Sequence, residues 1–265
     1  TKIDKKINII FDEETPKINI NLNILNETLP GFCNSFQNDQ LNSVEKVIFS
    51  NDLLQAKDTL IIYEDIFSNQ QYKLKNKYTN VRSTLYSEGQ FDAFASNALG
   101  IQESLGRYKK INALLPNVKI NNTPRVRQDI QNIYFLMTYK NAKGLVPAFR
   151  YNYSIGINSY ASINLIKNIS NISNIADFEY LIIPIQNQFD DDVSLNQFKK
   201  NSTVEDRLIY DNLFDLIIIN YFLQNNIKDA MVNGRSGMLS IKEGQCTSRE
   251  LPLRKINSEG SFTLP

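Results

Sequence analysis

The chain has 265 residues, of which 42% are hydrophobic, and its 29 basic and 28 acidic residues leave a net charge of +1. This composition excludes a disordered chain, and the near-zero charge gives no support to nucleic acid as a partner, although it leaves that partner possible. The absence of histidine excludes the Ser-His and Cys-His nucleophile pairs and the commonest metal ligand. We therefore expect a scaffold rather than a catalyst, without a cofactor or a metal.

The two cysteines, Cys33 and Cys246, form no metal-binding spacing. We expect two unreactive thiols, with one long-range disulfide as the alternative. No run approaches the ~20 apolar residues of a membrane span, and acidic residues directly follow the first short apolar run. The sequence therefore predicts neither a membrane span nor a signal peptide, and it favours a virion or the cytoplasm as the location.

Residues 17–24 alternate strictly between polar and apolar side chains, which predicts a half-buried strand or an arm laid along a neighbouring subunit. An unpaired strand of this kind needs a cover, and a partner subunit would provide it. The apolar side of this strand is therefore a candidate interface, formed by Ile18, Ile20, Leu22 and Ile24.

Short apolar runs at 44–49 and 59–63 have the length of strands, and the polar residues 70–86 suit a solvated edge strand. A helix is predicted over 90–115, where apolar residues recur every three or four positions before Pro116. Gly100 lies inside this helix and weakens it.

A β-hairpin is predicted over 131–158, because an apolar run is followed by a turn at Gly144 and then by a second alternating segment. In that second segment Tyr151 and Tyr153 share the apolar face with Phe149. They belong to the core or, as the sharper hypothesis, to an interface between subunits, where tyrosine is enriched.

Residues 178–186 form another predicted buried strand. Ser202 and Glu205 have the spacing of a capping box, which predicts a mostly buried helix over 203–227. The fold class that follows is α+β, with a mostly antiparallel sheet, two long helices and extended N- and C-terminal arms. The predicted parts are an N-terminal arm, a core domain and a C-terminal arm, over residues 1–30, 31–237 and 238–265.

Two groups of acidic residues are candidate metal sites. The run 190–192 lacks the spacing of a calcium loop and indicates a solvated acidic loop. A Mg²⁺-dependent nuclease needs two carboxylates and a lysine around one metal ion and its water, and it needs no histidine. The residues that could supply this chemistry are Asp58, Glu64, Asp65 and Lys73, although their spacing favours surface charge.

The loop at 233–237 could hold a phosphate through its backbone N–H groups, but it lacks the lysine of a P-loop and a turn is expected. Several basic residues could contact phosphates, although isolated pairs of this kind are usually solvated surface. These residues are Lys109, Lys110, Arg125, Arg127, Arg249, Arg254 and Lys255.

The missing catalytic motifs, the alternating strands and the extended termini together predict a structural assembly protein. The specific hypothesis is a viral or phage capsid or virion component that acts through contacts with itself or with other subunits. The alternatives are a Mg²⁺-dependent nuclease that uses carboxylates near residues 58–65, and a secreted toxin or adhesion component.

Overall fold

The structure is a computed structural model, and it describes residues 25–49, 58–115, 117–118, 120–152, 156–170, 172–186, 203–227 and 229–265. The predicted strand at 17–24 and the acidic run at 190–192 lie outside these residues.

The described residues form a seven-stranded sheet in the order β10-β9-β5-β4-β3-β1-β2. Neighbouring strands from β2 to β5 are parallel, and β9 and β10 are added antiparallel at the β5 side. The prediction of a mostly antiparallel α+β fold is therefore wrong. The strands are β1 Thr59–Tyr63, β2 Val81–Leu85, β3 Asn132–Leu136, β4 Asn158–Ala161, β5 Leu181–Pro184, β9 Leu253–Ile256 and β10 Phe262–Thr263.

The apolar character of the central strands explains the parallel arrangement. All five residues of β3 and all four of β5 are buried, so these strands have no solvent-exposed face. Strands buried on both faces occur where helices cover both sides of a sheet, and parallel strands need such crossover helices. The predicted strands at 59–63 and 178–186 and the first strand of the predicted hairpin exist as β1, β5 and β3. β3 is followed by a helix rather than by the return strand of a hairpin.

Helices cover both faces of this sheet. On one face, α1 and α2 pack through Val44, Ile48 and Leu74 against Ile61 and Tyr134. The other face is covered mainly by α3, α5 and the first turns of α6. The helices are α1 Phe36–Ile48, α2 Ser68–Lys77, α3 Phe91–Ala98, α4 Ile101–Leu114, α5 Tyr139–Tyr151 and α6 Val204–Gln224.

The hairpin predicted over 131–158 is wrong, because its second half begins as helix α5. Ala142, Leu145, Val146 and Phe149 are all buried and share one side of that helix. A Cβ atom on Gly144 would lie 2.2 Å from the ring of Phe91, so this glycine permits the close approach of α3 and α5. The apolar residues of this segment recur every three or four positions, which is the period of a helix. The polar and apolar alternation at 149–157 led to the wrong prediction of a strand.

The single helix predicted over 90–115 is two helices, α3 and α4. Gly100 separates them with a left-handed φ of 72°, which glycine adopts without steric cost. The predicted strands at 44–49 and 70–86 are wrong as well. The first lies mostly in α1, and the second contains most of α2 followed by strand β2.

The helix predicted over 203–227 exists as α6, although its capping box lies one residue later than expected. The side chain of Thr203 accepts a hydrogen bond from the Asp206 N–H, and the Asp206 carboxylate accepts one from the Thr203 N–H. These bonds satisfy N–H groups that the first turn of a helix leaves unpaired.

Residues after α6 form a second, three-stranded antiparallel sheet and then return to the main sheet. The extended C-terminal arm predicted as part of the fold is therefore wrong, because residues 238–265 supply strands to both sheets. The added strands are β6 Asp229–Asn233, β7 Met238–Lys242 and β8 Ser248–Glu250.

We call α6, the three-stranded sheet and residues 29–33 the small lobe. Leu213, Leu216 and Ile219 of α6 pack there against Leu239 and Ile241 of β7. A disulfide joins Cys33 to Cys246, so the expectation of two free thiols is wrong. The chain segments beside this disulfide are also hydrogen-bonded, from the Cys33 N–H to the Thr247 carbonyl and from the Thr247 N–H to the Gly31 carbonyl.

Candidate functional site

The parallel part of the main sheet has the strand order 2-1-3-4-5, so the chain changes direction across the sheet between β1 and β3. In open parallel sheets, ligands bind outside the carboxyl ends of the strands at such a switch point. The residues that follow β1 and β3 are therefore the first place to look for a site.

Glu64 follows β1 at this edge, and its side chain is already engaged within the protein. Its carboxylate accepts hydrogen bonds from the N–H of Thr138 at 2.6 Å, from the Thr138 hydroxyl at 3.1 Å and from the side-chain amide of Asn141. Thr138 is the N-cap residue of α5, so Glu64 occupies the helix end that would otherwise attract an anion. An anionic ligand consequently has no open helix terminus at this point.

The structure does not bring the carboxylates of the nuclease hypothesis together. Asp58 precedes β1 and Glu64 follows it, so six residue steps along the strand separate them by about 20 Å at ~3.3 Å per residue. Asp65 is exposed and accepts a hydrogen bond from Ser68, and Lys73 is exposed on α2. Among the described residues, no group of three or more His, Cys, Asp or Glu side chains could hold a metal ion.

An open cleft of about 540 Å³ lies between α1 and α2, on one face of the main sheet. It extends to Ile66 and Phe67, which directly follow the carboxyl end of β1. The cleft therefore reaches the edge of the sheet where ligands bind to folds of this topology. Apolar parts of its wall come from Leu41, Ile66, Phe67 and Leu74.

Carboxamide side chains dominate the polar lining of this cleft. Each one offers two N–H donors and a carbonyl acceptor, so the wall can satisfy groups that both donate and accept. The six carboxamides are Asn34, Gln37, Asn38, Asn42, Asn69 and Gln70.

The cleft has little net charge. Its one acidic residue, Glu45, is 3.2 Å from the ammonium group of Lys77. The pKa of Lys77 is raised, first by its hydrogen bond with Tyr78 and then by the one with Glu45. Its basic residue, Lys73, is exposed on α2. A lining of amides with one acid and one base favours a neutral ligand over a strongly charged one.

Tyr134 of β3 lies beneath the cleft, behind Gln70. Its side chain is fully buried, and burial raises the pKa of its hydroxyl far above the ordinary value. A hydrogen bond with the side chain of Gln70 partly opposes this effect, so the two polar groups interact with each other beneath the cleft.

The loop at 233–237, predicted as a turn that could hold a phosphate, is the turn between β6 and β7. Its backbone N–H groups at Arg235 and Ser236 donate to the carboxylate of Asp215, at 2.7 and 2.8 Å. The loop therefore does bind an anion, but that anion is a side chain of the same protein. Burial raises the pKa of Asp215, and the hydrogen bonds from Ser236 oppose this effect.

Arg249, one of the predicted phosphate contacts, is buried instead in an ion pair. Its guanidinium is 3.1 Å from the Asp39 carboxylate, donates to Asn212 and Ser236, and lies 4.6 Å from the ring centre of Phe32. This network joins α1, α6, the β6–β7 turn and β8. It holds the small lobe on the main sheet and is not available to a ligand.

Among the other basic candidates, Arg127 is paired with Asp129 at 2.8 Å, and the backbone N–H of Arg125 donates to Ser104. Lys255 lies 5.0 Å from the ring centre of Tyr180. The predicted phosphate-binding residues therefore do not form one patch.

The predicted interface residues are not tested as a set. Tyr151 is 82% exposed at the end of α5, away from the strand face on which it was placed. Tyr153, together with Ile18, Ile20, Leu22 and Ile24, lies outside the described residues. The prediction that these residues meet a partner subunit remains a prediction.

Sequence reasoning missed the cleft, although a signal for it exists. Asn34, Asn38 and Asn42 are four residues apart, and the last two lie on one side of α1 in a single row.

The sequence matches no family model and no curated protein. Within the described residues, no helix has the length and apolar character needed to cross a membrane.

Several solved structures are similar in fold. Full-length LpoA from Haemophilus influenzae has a TM-score of 0.53 at 10% identity, over 91% of this chain and 42% of that one. The C-domain of LpoA from the same organism, described as a regulator of PBP1A, has a TM-score of 0.48 at 12% identity, over 85% and 65%. An extracellular ligand-binding receptor from Desulfohalobium retbaense has a TM-score of 0.45 at 13% identity, over 91% and 42%.

The chain spans less than two thirds of each of these proteins, and the likeness to full-length LpoA shows the fold alone. The prediction of a viral or phage capsid component is nevertheless wrong. It depended on an antiparallel fold with extended arms, whereas the chain has the α/β fold that it shares with full-length LpoA.

Proposed function

We propose that this chain is a recognition module that binds a neutral polar ligand in the cleft between α1 and α2 and does no chemistry on it. The observation that carries this proposal is the set of six carboxamides on the two walls of a cleft that reaches the sheet edge where parallel α/β folds bind ligands. The volume of about 540 Å³ is within the usual range for small-molecule sites.

Recognition without catalysis is supported by how the acidic residues are used. Glu64 caps α5, Glu45 pairs with Lys77, and Asp215 is held by the β6–β7 turn. None of these three carboxylates is left to act as a base on a ligand in the cleft. The polar side chains of the lining are mostly amides, which can bind a ligand but do not activate one.

We further propose that the protein works outside the cytoplasm. The support is the disulfide between Cys33 and Cys246, since disulfides persist in oxidising compartments and are rare in the cytosol. This location replaces the expected virion or cytoplasm and is closer to the alternative of a secreted component.

A second candidate function is contact with another protein, either a partner or a second copy of this chain. Its basis is α6, which exposes Ile217 and Tyr221, four residues apart on one side of the helix, at 50% and 60%. Apolar patches of this kind are typical of interaction sites. Sedimentation of wild type and of Ile217→Asp at high concentration tests self-association, and a monomer in both cases would leave only a different partner.

The experiment for the cleft is a nuclear magnetic resonance screen of neutral, polar small molecules against the intact chain. We expect some compounds to bind and to change the chemical shifts of residues in α1 and α2. We expect Asn42→Trp to abolish this binding, because the larger side chain fills the cleft. Asn112→Trp is the matched control, because Asn112 is also an exposed asparagine on a helix, but on α4. Hits that survive Asn42→Trp, or a screen without hits, would contradict the proposed site.

A further inference from the structure

We infer that the ligand is a neutral polyhydroxylated molecule of the size of a short oligosaccharide; this inference rests on the proposed function of the cleft. Its first basis is the chemistry of the lining. A hydroxyl group both donates and accepts hydrogen bonds, and a carboxamide matches it because it offers both roles on one short side chain. The cleft presents six such side chains against one acid and one base.

The arrangement of the amides fits an extended ligand better than a compact one. Asn38 and Asn42 are four residues apart on α1, so their Cα atoms are about 6 Å apart along the helix axis. Asn69 and Gln70 supply amides from the opposite wall, at the start of α2. A ligand lying along the cleft therefore meets hydrogen-bonding groups from both sides over more than one helical turn.

Two of the apolar lining residues, Ile66 and Phe67, lie at the end of the cleft nearest the sheet edge. Ile66 is 72% exposed and Phe67 is half-buried, and both line the cleft beside the carboxyl end of β1. Sugar rings carry hydroxyls around their rim and C–H groups on their faces. Such a ring can pack its apolar face on Phe67 while its hydroxyls reach the amides.

The test is isothermal titration calorimetry of the intact, oxidised chain with three neutral probes. Two are trisaccharides, maltotriose and chitotriose, and the third is the blocked peptide N-acetyl-trialanine amide. We expect one or both trisaccharides to bind and the peptide not to bind. Asn38→Leu and Asn42→Leu should each weaken trisaccharide binding by about tenfold, the effect of losing one hydrogen bond. Asn112→Leu on α4 should leave it unchanged.

Other outcomes would overturn the inference in distinguishable ways. Binding of the peptide alone, reduced by Asn38→Leu, would overturn the ligand class and keep the cleft as a recognition site. Trisaccharide binding that neither cleft variant changes would overturn both the ligand class and the site. If no probe binds, the ligand class is overturned, and the small-molecule screen decides separately on the site. Circular dichroism of each variant identifies any loss of folding.

Discussion

The main sheet and the small lobe are stabilised in different ways. Among the described residues, the two clusters around the main sheet contain 32 and 9 buried apolar side chains, whereas the cluster of the small lobe contains 7. Apolar burial stabilises a structure roughly in proportion to the area removed from water, so the small lobe gains far less from it. Its additional stabilisation comes from a disulfide and from a buried network of charged and polar groups.

The two kinds of stabilisation differ in how they respond to a single substitution. A hydrophobic cluster tolerates the loss of one contact by partial relaxation, but a buried ion pair leaves an uncompensated charge when one partner is removed. The small lobe should therefore respond more sharply to single polar substitutions than the main sheet does. Three substitutions test this difference, and the largest effect is expected at Arg249.

Replacing Arg249 by methionine should destabilise the protein by roughly 3–5 kcal/mol, because Asp39 stays buried without its partner. Urea unfolding measures the loss. The control on the main sheet is Arg82→Met, which removes an arginine that is half exposed beside Asp129 and should cost no more than about 1 kcal/mol. Equal effects at the two positions would contradict the proposed difference between the regions.

Replacing Cys33 and Cys246 together by serine should cost roughly 2–4 kcal/mol, since the disulfide closes a loop of 213 residues in the unfolded chain. Hydrogen exchange should then increase first in residues 29–33 and in β6 to β8, while β1 and β3 stay protected. Reduction of the wild-type disulfide should give the same pattern. Exchange that increases uniformly over both regions would show that the lobe does not open separately.

The smallest effect is expected at Asp211, on α6 near Arg207, Arg235 and Asp215. Burial, reinforced by the charge of Asp215, raises the pKa of Asp211 to about 7, and the two arginines only partly oppose this. The folded state then binds the proton more tightly than the unfolded state, so this contribution to the free energy of unfolding is present below about pH 4 and is lost as the pH rises to about 7.

Asp211→Asn should remove this part of the pH dependence. Asp211 is partly exposed, so solvent screens much of the effect that this pKa shift implies. We expect the variant to be more stable than wild type at pH 8 by about 1 kcal/mol and to converge with it near pH 4. Denaturant unfolding at a series of pH values measures both trends. Asp92→Asn, an exposed position on α3, is the control, and the same pH profile in both variants would show that Asp211 is not responsible.

The sequence predicted elements better than it predicted their arrangement. The apolar runs at β1, β3 and β5 were recognised as strands, and α6 was placed within a few residues of its true ends. The apolar residues of these three strands are continuous rather than alternating, which is typical of parallel strands covered by helices on both faces. The prediction of an antiparallel sheet did not take this pattern into account. The mistake at α5 came from following an alternating pattern that lies mostly beyond the helix.

Long-range contacts explain the rest of what was missed. Asp39 and Arg249 are separated by 210 residues, and Cys33 and Cys246 by 213, so no local pattern pairs them. The cleft depends on two helices whose relative position is set by the sheet beneath them. For the loop at 233–237, the sequence did indicate that backbone N–H groups could bind an anion. It did not indicate that this anion is the carboxylate of Asp215.

Strand β9 pairs with β5 although α6 and the whole three-stranded sheet lie between them in the chain. During synthesis, the five parallel strands are complete once Pro184 has been made, but the free edge of β5 stays open until residues 253–256 follow. An open edge of a buried apolar strand is a site for pairing with other chains. A ribosome that stalls while it synthesises α6 or the three-stranded sheet would therefore leave a nascent protein with its parallel strands complete and an open, aggregation-prone edge. The last strands protect this edge by pairing with it.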